Sequence, residues 1–177
     1  MNKRVEVVAA IVVDSQQRIL MAQRAHWQHQ GGKWEFPGGK IETDETHLQA
    51  LARELEEEVD LQIDQRFCEL FKAVHHDYAD KNVSLYFYLV KNASGIAKGM
   101  EDQPVLWVDA KTLSGLAIPD ANKAIADALP GTVMDKLLLA HNKLIGIIGV
   151  TALANAIPKS NLATLTLTGT NMGDDGI

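Results

Sequence analysis

The sequence predicts an α+β fold, because extended apolar segments outnumber helical ones and the helical signals are confined to two stretches. Apolar residues make up 46% of the 177 residues and charged residues 23%, which is the balance of a folded globular protein. After Gly131 charged residues become sparse, and Leu, Ile, Ala and Thr dominate. We therefore predict one domain over residues 1–131 and a C-terminal extension over residues 132–177.

The predicted strands are short apolar runs rich in β-branched and aromatic residues, separated by polar turns. They cover 5–13, 18–22, 34–36, 67–75, 83–90 and 104–108. The first two flank the polar turn 14–17, so we expect them to form a hairpin. The polar segment 25–33, rich in Gln, His and Gly, is expected to be a loop.

The clearest helix is predicted over residues 46–59. Thr46 and Gln49 have the spacing of a capping box at its start. Apolar residues recur at helical spacing and form one stripe. They are Leu48, Leu51, Ala52, Leu55 and Val59. A second helix is predicted over 121–129, because Pro119-Asp120 is a helix start and Pro130-Gly131 a helix end.

Charge and cysteine content exclude several classes of protein. The net charge is −6, and residues 42–58 alone account for a charge of this size, so the acidity is local. No basic surface is evident for DNA or RNA backbones, and we expect neither as a partner. No apolar run approaches a membrane span. The single cysteine, Cys68, excludes a disulfide framework and favours a cytoplasmic location.

The acidic residues of the first helix require a positive partner. Glu54, Glu57 and Glu58 stand at i, i+3 and i+4 and share one face, where like charges repel. Arg53 can pair with Glu57, yet one arginine does not neutralise three carboxylates. Mg²⁺ prefers oxygen ligands of this kind. The alternative is that this face is simply solvated, as most glutamate-rich helix faces are.

The spacing around these glutamates is more specific than their number. Gly39 is followed after five residues by Glu45, and after seven more by the run RELEEEVDL at 53–61. This segment resembles the Nudix box, whose pattern is Gly, five residues, Glu, seven residues, Arg-Glu-apolar-any-Glu-Glu-any-Gly-apolar. Only the final Gly differs, since this chain has Asp60 there. A left-handed helix end favours Gly and tolerates Asp, so we expect Asp60 to reduce helix stability without abolishing activity.

The resemblance to the Nudix hydrolases implies an α/β/α sandwich with a mixed β-sheet, and a divalent metal site. Mg²⁺ is the implied cofactor, for which Mn²⁺ can substitute. The implied metal ligands are the Gly38 carbonyl, Glu54, Glu57, Glu58 and Glu101. The implied catalytic set is Glu54, Glu57, Glu101 and Arg53. Within it Arg53 orients the glutamates, and Glu54 and Glu101 are both candidates for the general base.

Outside the box, residues 3–129 are similar to the MutT-type branch of this family, above all in the run WEFPGGKIE at 34–42. This similarity implies four substrate-binding residues. They are Arg24 for phosphate, Phe36 lining the base pocket, Lys81 where the family has an arginine near the base, and Asn122 reading the oxidised guanine. The alternatives are core packing for Phe36 and a helix-start position without base contact for Asn122.

The implied activity is the hydrolysis of 8-oxo-dGTP, and of dGTP, to the monophosphate and pyrophosphate, which removes a damaged nucleotide from the pool. One alternative is a pyrophosphatase for CTP or a modified pyrimidine triphosphate. Another is a noncatalytic nucleotide-binding module, whose marker would be a lost glutamate in the box. All the box glutamates are present. We expect a monomer or a homodimer.

Overall fold

The computed structural model describes residues 4–77 and 82–129 and has the predicted α+β class. Its strands are β1 (Arg4–Val12), β2 (Arg18–Gln23), β3 (Trp34–Glu35), β4 (Gly38–Lys40), β5 (Gln62–Ile63), β6 (Cys68–Asp77), β7 (Asn82–Val90), β8 (Ala93–Ser94) and β9 (Val105–Asp109). Its helices are α1 (His47–Val59) and α2 (Asp120–Ala126), with 3₁₀ helices at Gln65–Phe67 and Ala110–Gly115. Neither α1 nor α2 has the length and hydropathy of a membrane span.

The chain divides into two units, Met1–Asp127 and Ala128–Ile177. The first unit contains every element named above. The predicted extension 132–177, with its one or two helices and its strand, lies outside the described residues. The predicted domain boundary at residue 131 stays a prediction.

The central sheet is mixed, with strand order β4-β1-β7-β6. Strand β1 runs parallel to β7, from the pair Arg4 and Asn82 to the pair Val12 and Val90. Strands β4 and β6 are antiparallel to their neighbours. A second, antiparallel sheet has the order β3-β2-β9, and β5 pairs with β8. The mixed sheet expected from the family resemblance is therefore confirmed.

The predicted hairpin of the first two strands is wrong. Strands β1 and β2 belong to different sheets and are joined only by an isolated bridge between Val13 and Ile19. Strand β7 pairs along the whole of one edge of β1 and β4 along part of the other, whereas β2 pairs with β3 and β9 in the second sheet. The turn between them is nonetheless well defined, because the Asp14 carboxylate accepts hydrogen bonds from the backbone N–H groups of Gln16 and Arg18.

Both faces of β1 are buried in its second half, which explains its continuous apolar run. Val8, Ala10 and Val12 point to one face and join the apolar stripe of α1 in a common core. That core is completed by Leu20, Ala22, Ala50, Leu51, Leu55, Val59, Leu61, Tyr88 and Val90. The alternate residues Ala9 and Ile11 point to the opposite face and are also buried. Helix α1 is thus held rigidly against the sheet, which positions its acidic face.

The two ends of α1 follow the sequence prediction. Thr46 accepts a hydrogen bond from the Gln49 N–H, and the Gln49 side chain accepts one from the Thr46 N–H, so the capping box is formed. At the other end Asp60 is left-handed, with φ 57° and ψ 36°. The Leu61 N–H donates to the Leu55 carbonyl over 3.1 Å and closes the last turn.

Replacing Asp60 with Gly is expected to stabilise the protein by about 0.5–1 kcal/mol, because Gly adopts the left-handed conformation without the steric penalty of a Cβ. Removing the carboxylate also removes a negative charge from the negative end of the helix dipole. The ion pair lost with Lys98 spans 3.6 Å between exposed side chains and contributes little. Urea unfolding followed by circular dichroism measures the change.

Asp60→Ala is the matched control, since it removes the same carboxylate but keeps a Cβ. We expect it to lower the free energy of unfolding relative to Asp60→Gly by about 1 kcal/mol. Equal stability of the two variants would contradict the importance of the left-handed conformation at this position.

Candidate active site

One cleft of about 480 Å³ brings together residues from β1, β4, β7, α1 and the loops before β3, β9 and α2. Its lining includes four carboxylates, which we call the acidic cluster. They are Glu35, Glu54, Glu58 and Glu101. Its lining also includes an apolar set from the central sheet. This set is Val5, Val7, Val83 and Leu85. The cleft can therefore contact a ligand that is charged in one part and flat and apolar in another.

The apolar set follows from strand register. Val5 pairs with Val83, and Val7 with Leu85, so their side chains lie on one face of the parallel pair β1 and β7. Two residues further along both strands, Ala9 pairs with Phe87 on the same face, and both residues are buried in the core. The cleft is thus the uncovered part of a sheet face whose remainder is core.

Two adjacent glycines bring the backbone of β4 against α1. The Gly38 N–H donates to Glu58 Oε2 over 2.8 Å. A Cβ on Gly39 would overlap with the Glu54 carboxylate, and a Cβ on Gly38 would overlap with the Val8 carbonyl. Glycine at 39 therefore lets the Glu54 carboxylate approach β4, and glycine at 38 lets β4 lie close to β1.

Arg53 connects the carboxylates of the box. Its Nε and Nη2 donate to Glu45 Oε1 and Oε2 over 2.7 and 2.9 Å, a bidentate pair. Its Nη1 donates to Glu54 Oε1 over 2.9 Å and to Glu57 Oε2 over 3.1 Å, and Nη2 also reaches the Lys40 carbonyl. These bonds to Arg53 lower the pKa of Glu45 to about 2. The expected pairing of Arg53 with Glu57 is present.

Glu57 occupies a different environment from Glu54 and Glu58. Its side chain is 63% exposed, it contacts Arg53, and it is not part of the cleft lining. Glu54 and Glu58 both line the cleft. The structure therefore brings together Gly38, Glu54, Glu58 and Glu101 from the predicted metal ligands and leaves Glu57 at the rim.

Burial, together with the nearby carboxylates of Glu35, Glu54 and Glu101, raises the pKa of Glu58 to about 8, against the hydrogen bond from Gly38, which lowers it. Burial also raises the pKa of Glu54 and of Glu35. Across residues 4–77 and 82–129, the hydrogen bond from Gly38 is the one that the Glu58 carboxylate accepts. Buried carboxylates without a cation are costly, so the acidic cluster favours a bound cation.

The donor set fits a hard divalent ion, because carboxylate and carbonyl oxygens are the ligands of Mg²⁺ and Mn²⁺. Among the described residues, however, no three acidic, histidine or cysteine side chains converge closely enough to form a preassembled metal site. The oxygens present match the chemistry of such an ion, and the side chains must adjust to close around it.

Arg24 supplies positive charge to the cleft. Its Nη1 contacts the Glu35 carboxylate, and its Nε donates to the His29 carbonyl over 3.0 Å. Glu35 lies in the run WEFPGGKIE at 34–42, but the sequence analysis does not predict it as a site residue. The signal that could have indicated it is a single charged residue between the aromatic residues Trp34 and Phe36 of a short extended segment.

The predicted base-binding residues lie in different environments in the structure. Asn122 is 5% exposed and lines the cleft. Phe36 is 2% exposed and packs edge-on against Phe87, with ring centroids 5.8 Å apart. It lies in the core and is not part of the cleft lining. Lys81 lies outside the described residues.

Comparison with known proteins gives one family over most of the chain. Residues 8–128 match the family described as NUDIX domain. The chain is 43% identical over 89 residues to the 8-oxo-dGTP diphosphatase of Proteus vulgaris, covering 50% of this chain and 78% of that protein. It is 38% identical over 105 residues to the CTP pyrophosphohydrolase of Escherichia coli, covering 59% and 76%.

A solved structure from a study of MutT of Aliivibrio salmonicida and Vibrio cholerae superposes with a TM-score of 0.62 at 36% identity. The match covers 71% of this chain and 95% of that one. Fold and sequence therefore give the same family.

Gly39→Ala is expected to fold but to lose most of its turnover of a nucleoside triphosphate. The added methyl would overlap with the end of a flexible side chain, the Glu54 carboxylate, which can move away at little cost in stability but leaves its position in the cleft. Steady-state kinetics and the urea midpoint measure the two effects separately.

Gly38→Ala is the matched control, because its methyl would meet the Val8 backbone at a φ of 150°. We expect this variant to lose stability as well as activity. Full turnover in Gly39→Ala would show that the position of the Glu54 carboxylate does not matter for catalysis.

The metal-free protein is expected to lose stability as the pH rises from about 4.5 to about 8. Folded Glu58 keeps its proton to about pH 8, whereas the unfolded chain loses it near the usual value of 4.5. The folded state binds more protons in this window, so the free energy of unfolding falls with pH, by at most about 1.4 kcal/mol per pH unit for one group. The contribution is complete below pH 4.5.

Glu58→Gln should flatten this dependence, because glutamine does not ionise. Urea unfolding in EDTA at several pH values between 5 and 8 measures the slope. Glu56→Gln, which changes an exposed glutamate of the same helix, is the control and should keep the wild-type slope. Identical slopes in all three proteins would show that Glu58 is not the responsible group.

Proposed function

The chain belongs to the NUDIX domain family, and we propose from this premise that it hydrolyses 8-oxo-dGTP to the monophosphate and pyrophosphate with the help of Mg²⁺. It is a Nudix hydrolase that acts on nucleoside triphosphates. The observation that carries the proposal is a single cleft that joins an acidic cluster to an apolar sheet face and to the largely buried side chain of Asn122. A triphosphate with its metal suits the first part and a purine suits the second.

Nudix hydrolases generally require a divalent metal, and in this chain the proposed ligands are the Gly38 carbonyl, Glu54, Glu57, Glu58 and Glu101. Support comes from the largely buried Glu58 carboxylate, which has no cationic partner among the described residues. When bound, such an ion neutralises phosphate charge and lowers the pKa of water. Mn²⁺ has similar ligand preferences and should substitute.

The protein groups then have separate tasks. Arg53 fixes the orientation of Glu54 through a bond of 2.9 Å and would hold Glu57 near the same site. Glu54 and Glu101 are the two candidates that would accept the proton of the attacking water. Arg24, anchored by Glu35, would bind a phosphate of the substrate as a charged donor. By family analogy, attack at an inner phosphorus gives the monophosphate and pyrophosphate.

Base selection would depend on Asn122. An oxidised guanine differs from guanine by a carbonyl at C8 and a proton at N7, so a group that recognises it must offer hydrogen bonds to that edge. The Asn122 amide provides one acceptor and two donors, and the residue lines the cleft. The apolar set would contact the flat face of any base and would add affinity rather than selectivity.

A pyrimidine triphosphate is the second candidate substrate. The relative named CTP pyrophosphohydrolase supports it at 38% identity, close to the value for the diphosphatase of Proteus vulgaris. A noncatalytic module is disfavoured, because every carboxylate of the box is present and Glu54 and Glu58 line the cleft. The expectations of no DNA or RNA partner, of a monomer or homodimer, and of a cytoplasmic location stay predictions.

A side-by-side measurement of kcat/KM for 8-oxo-dGTP, dGTP, CTP and 5-methyl-dCTP tests the proposal. The wild-type protein should prefer 8-oxo-dGTP. Asn122→Ala should lose about 1–3 kcal/mol of selectivity for 8-oxo-dGTP over dGTP, which is the effect of one buried hydrogen-bonding group. Asn92→Ala, an exposed asparagine outside the cleft lining, is the matched control and should keep the wild-type preference.

Fastest turnover of CTP or 5-methyl-dCTP by the wild-type protein would favour the pyrimidine alternative. Equal losses for both guanine nucleotides in Asn122→Ala would remove Asn122 from base reading. Failure of the wild-type protein to hydrolyse any of the four would refute the proposed substrate class.

A further inference from the structure

Glu101 reaches the acidic cluster from a segment without regular structure. It lies between β8 and β9, whereas Glu54 and Glu58 belong to the rigid helix α1. Glu101 nonetheless lines the same cleft as Glu54 and Glu58. Contacts outside regular secondary structure must therefore hold it there.

Backbone hydrogen bonds attach this segment to the last turn of α1. The Met100 N–H donates to the Glu58 carbonyl over 2.9 Å, and the Lys98 N–H donates to the Val59 carbonyl over 3.1 Å. The last carbonyls of a helix have no partner within the helix, so they are available for this purpose. These bonds fix the segment up to residue 100 but not Glu101 itself.

One side chain completes the attachment. The Gln103 Nε2 donates to the same Glu58 carbonyl over 2.9 Å, and the Gln103 Oε1 accepts from the Glu101 N–H over 2.8 Å. The carboxamide thus connects the backbone of one cluster residue directly to the backbone of another. Both its oxygen and its nitrogen are used, and the side chain is part of the cleft lining.

The neighbouring residues are shaped around this side chain. A Cβ on Gly99 would overlap with the Gln103 carbonyl and lie 2.7 Å from Gln103 Oε1. Asp102, between Glu101 and Gln103, adopts a left-handed φ of 59°, which non-glycine residues rarely do. The same turn thus contains Asp102 in a left-handed conformation and Gly99 at a position without room for a side chain. This turn places the Gln103 carboxamide between the backbones of Glu58 and Glu101.

We propose that Gln103 is a positioning residue that holds Glu101 in the acidic cluster by bridging its backbone to the C-terminal end of α1. The inference rests on the proposed function only in taking Glu101 as a metal ligand. Gln103 acts on the metal site through Glu101 and not by direct contact. Loss of the carboxamide releases Glu101 and weakens metal binding.

Gln103→Met removes both hydrogen bonds and keeps the length of the side chain. In the metal-free protein, amide hydrogen exchange of Glu101, measured by NMR, should accelerate about tenfold or more, because its N–H loses its acceptor. Mn²⁺ affinity, measured by electron paramagnetic resonance, should fall about 10–100-fold, as for other residues that orient metal ligands. Gln23→Met is the matched control, since Gln23 also lines the cleft and donates to a backbone carbonyl, that of Gly32. It should change neither quantity at this site.

A double-mutant cycle identifies the route of the effect. If Gln103 acts through Glu101, Gln103→Met should have little further effect on Mn²⁺ affinity in the Glu101→Gln background. The same loss in both backgrounds would overturn the proposal, and so would unchanged exchange at Glu101. Faster exchange with unchanged Mn²⁺ affinity in both single variants would support the bridge and refute Glu101 as a ligand, which separates this inference from the proposed function.

Discussion

Negative charges that are held together in a half-buried cleft repel each other and lose hydration, and this constraint determines most of the site. Burial and three neighbouring carboxylates keep the pKa of Glu58 far above that of a free glutamate. The fold stabilises these carboxylates with hydrogen-bond donors held in place beside them. Arg53 holds Glu45, Glu54 and Glu57 from the exposed side of α1, and the backbone N–H of Gly38 faces Glu58 from β4. The remaining negative charge is left for a bound cation to balance.

The same constraint explains why rigid elements carry the cluster. Helix α1 buries one stripe between the two sheets, and its start is fixed by the capping box. Its acidic face therefore cannot rotate away from β4 to relieve the repulsion. Gly39 lacks the side chain that would otherwise overlap with the Glu54 carboxylate of the helix. Packing energy from the apolar core thus holds together charges that repel each other.

The elements with strong local signals could be predicted from the sequence, and the pairings between them could not. Thr46, Gln49 and the apolar stripe predict α1, because the capping box and the helical spacing of apolar residues both involve residues close together in sequence. The pairing of β1 with β7 depends on residues far apart in sequence, and no local pattern contains it, so a hairpin with β2 was the natural but wrong prediction. Strand β4 is not predicted from the sequence, because two of its three residues are glycines, which have low strand propensity.

The family resemblance, within the box and beyond it, implied one site for Gly38, Glu54, Glu57, Glu58 and Glu101, and all of these except Glu57 line the same cleft. Phe36 shows the limit, because an aromatic residue beside a glycine turn can face a pocket or the core, and only the packing against Phe87 distinguishes the two. Gln103 had no signal at all, because its importance lies in two backbone partners 45 and 2 residues away.

The parallel pairing of β1 with β7 also affects how the chain is made. Synthesis proceeds from the N-terminus, so the apolar strand Arg4–Val12 emerges long before its partner Asn82–Val90. Until that partner is available, β1 has an unpaired edge and apolar side chains on both faces, features that favour aggregation. Pairing over such a sequence separation also closes a long loop, which slows folding. A strand that lies in the interior of the finished sheet is therefore exposed to aggregation in the nascent chain.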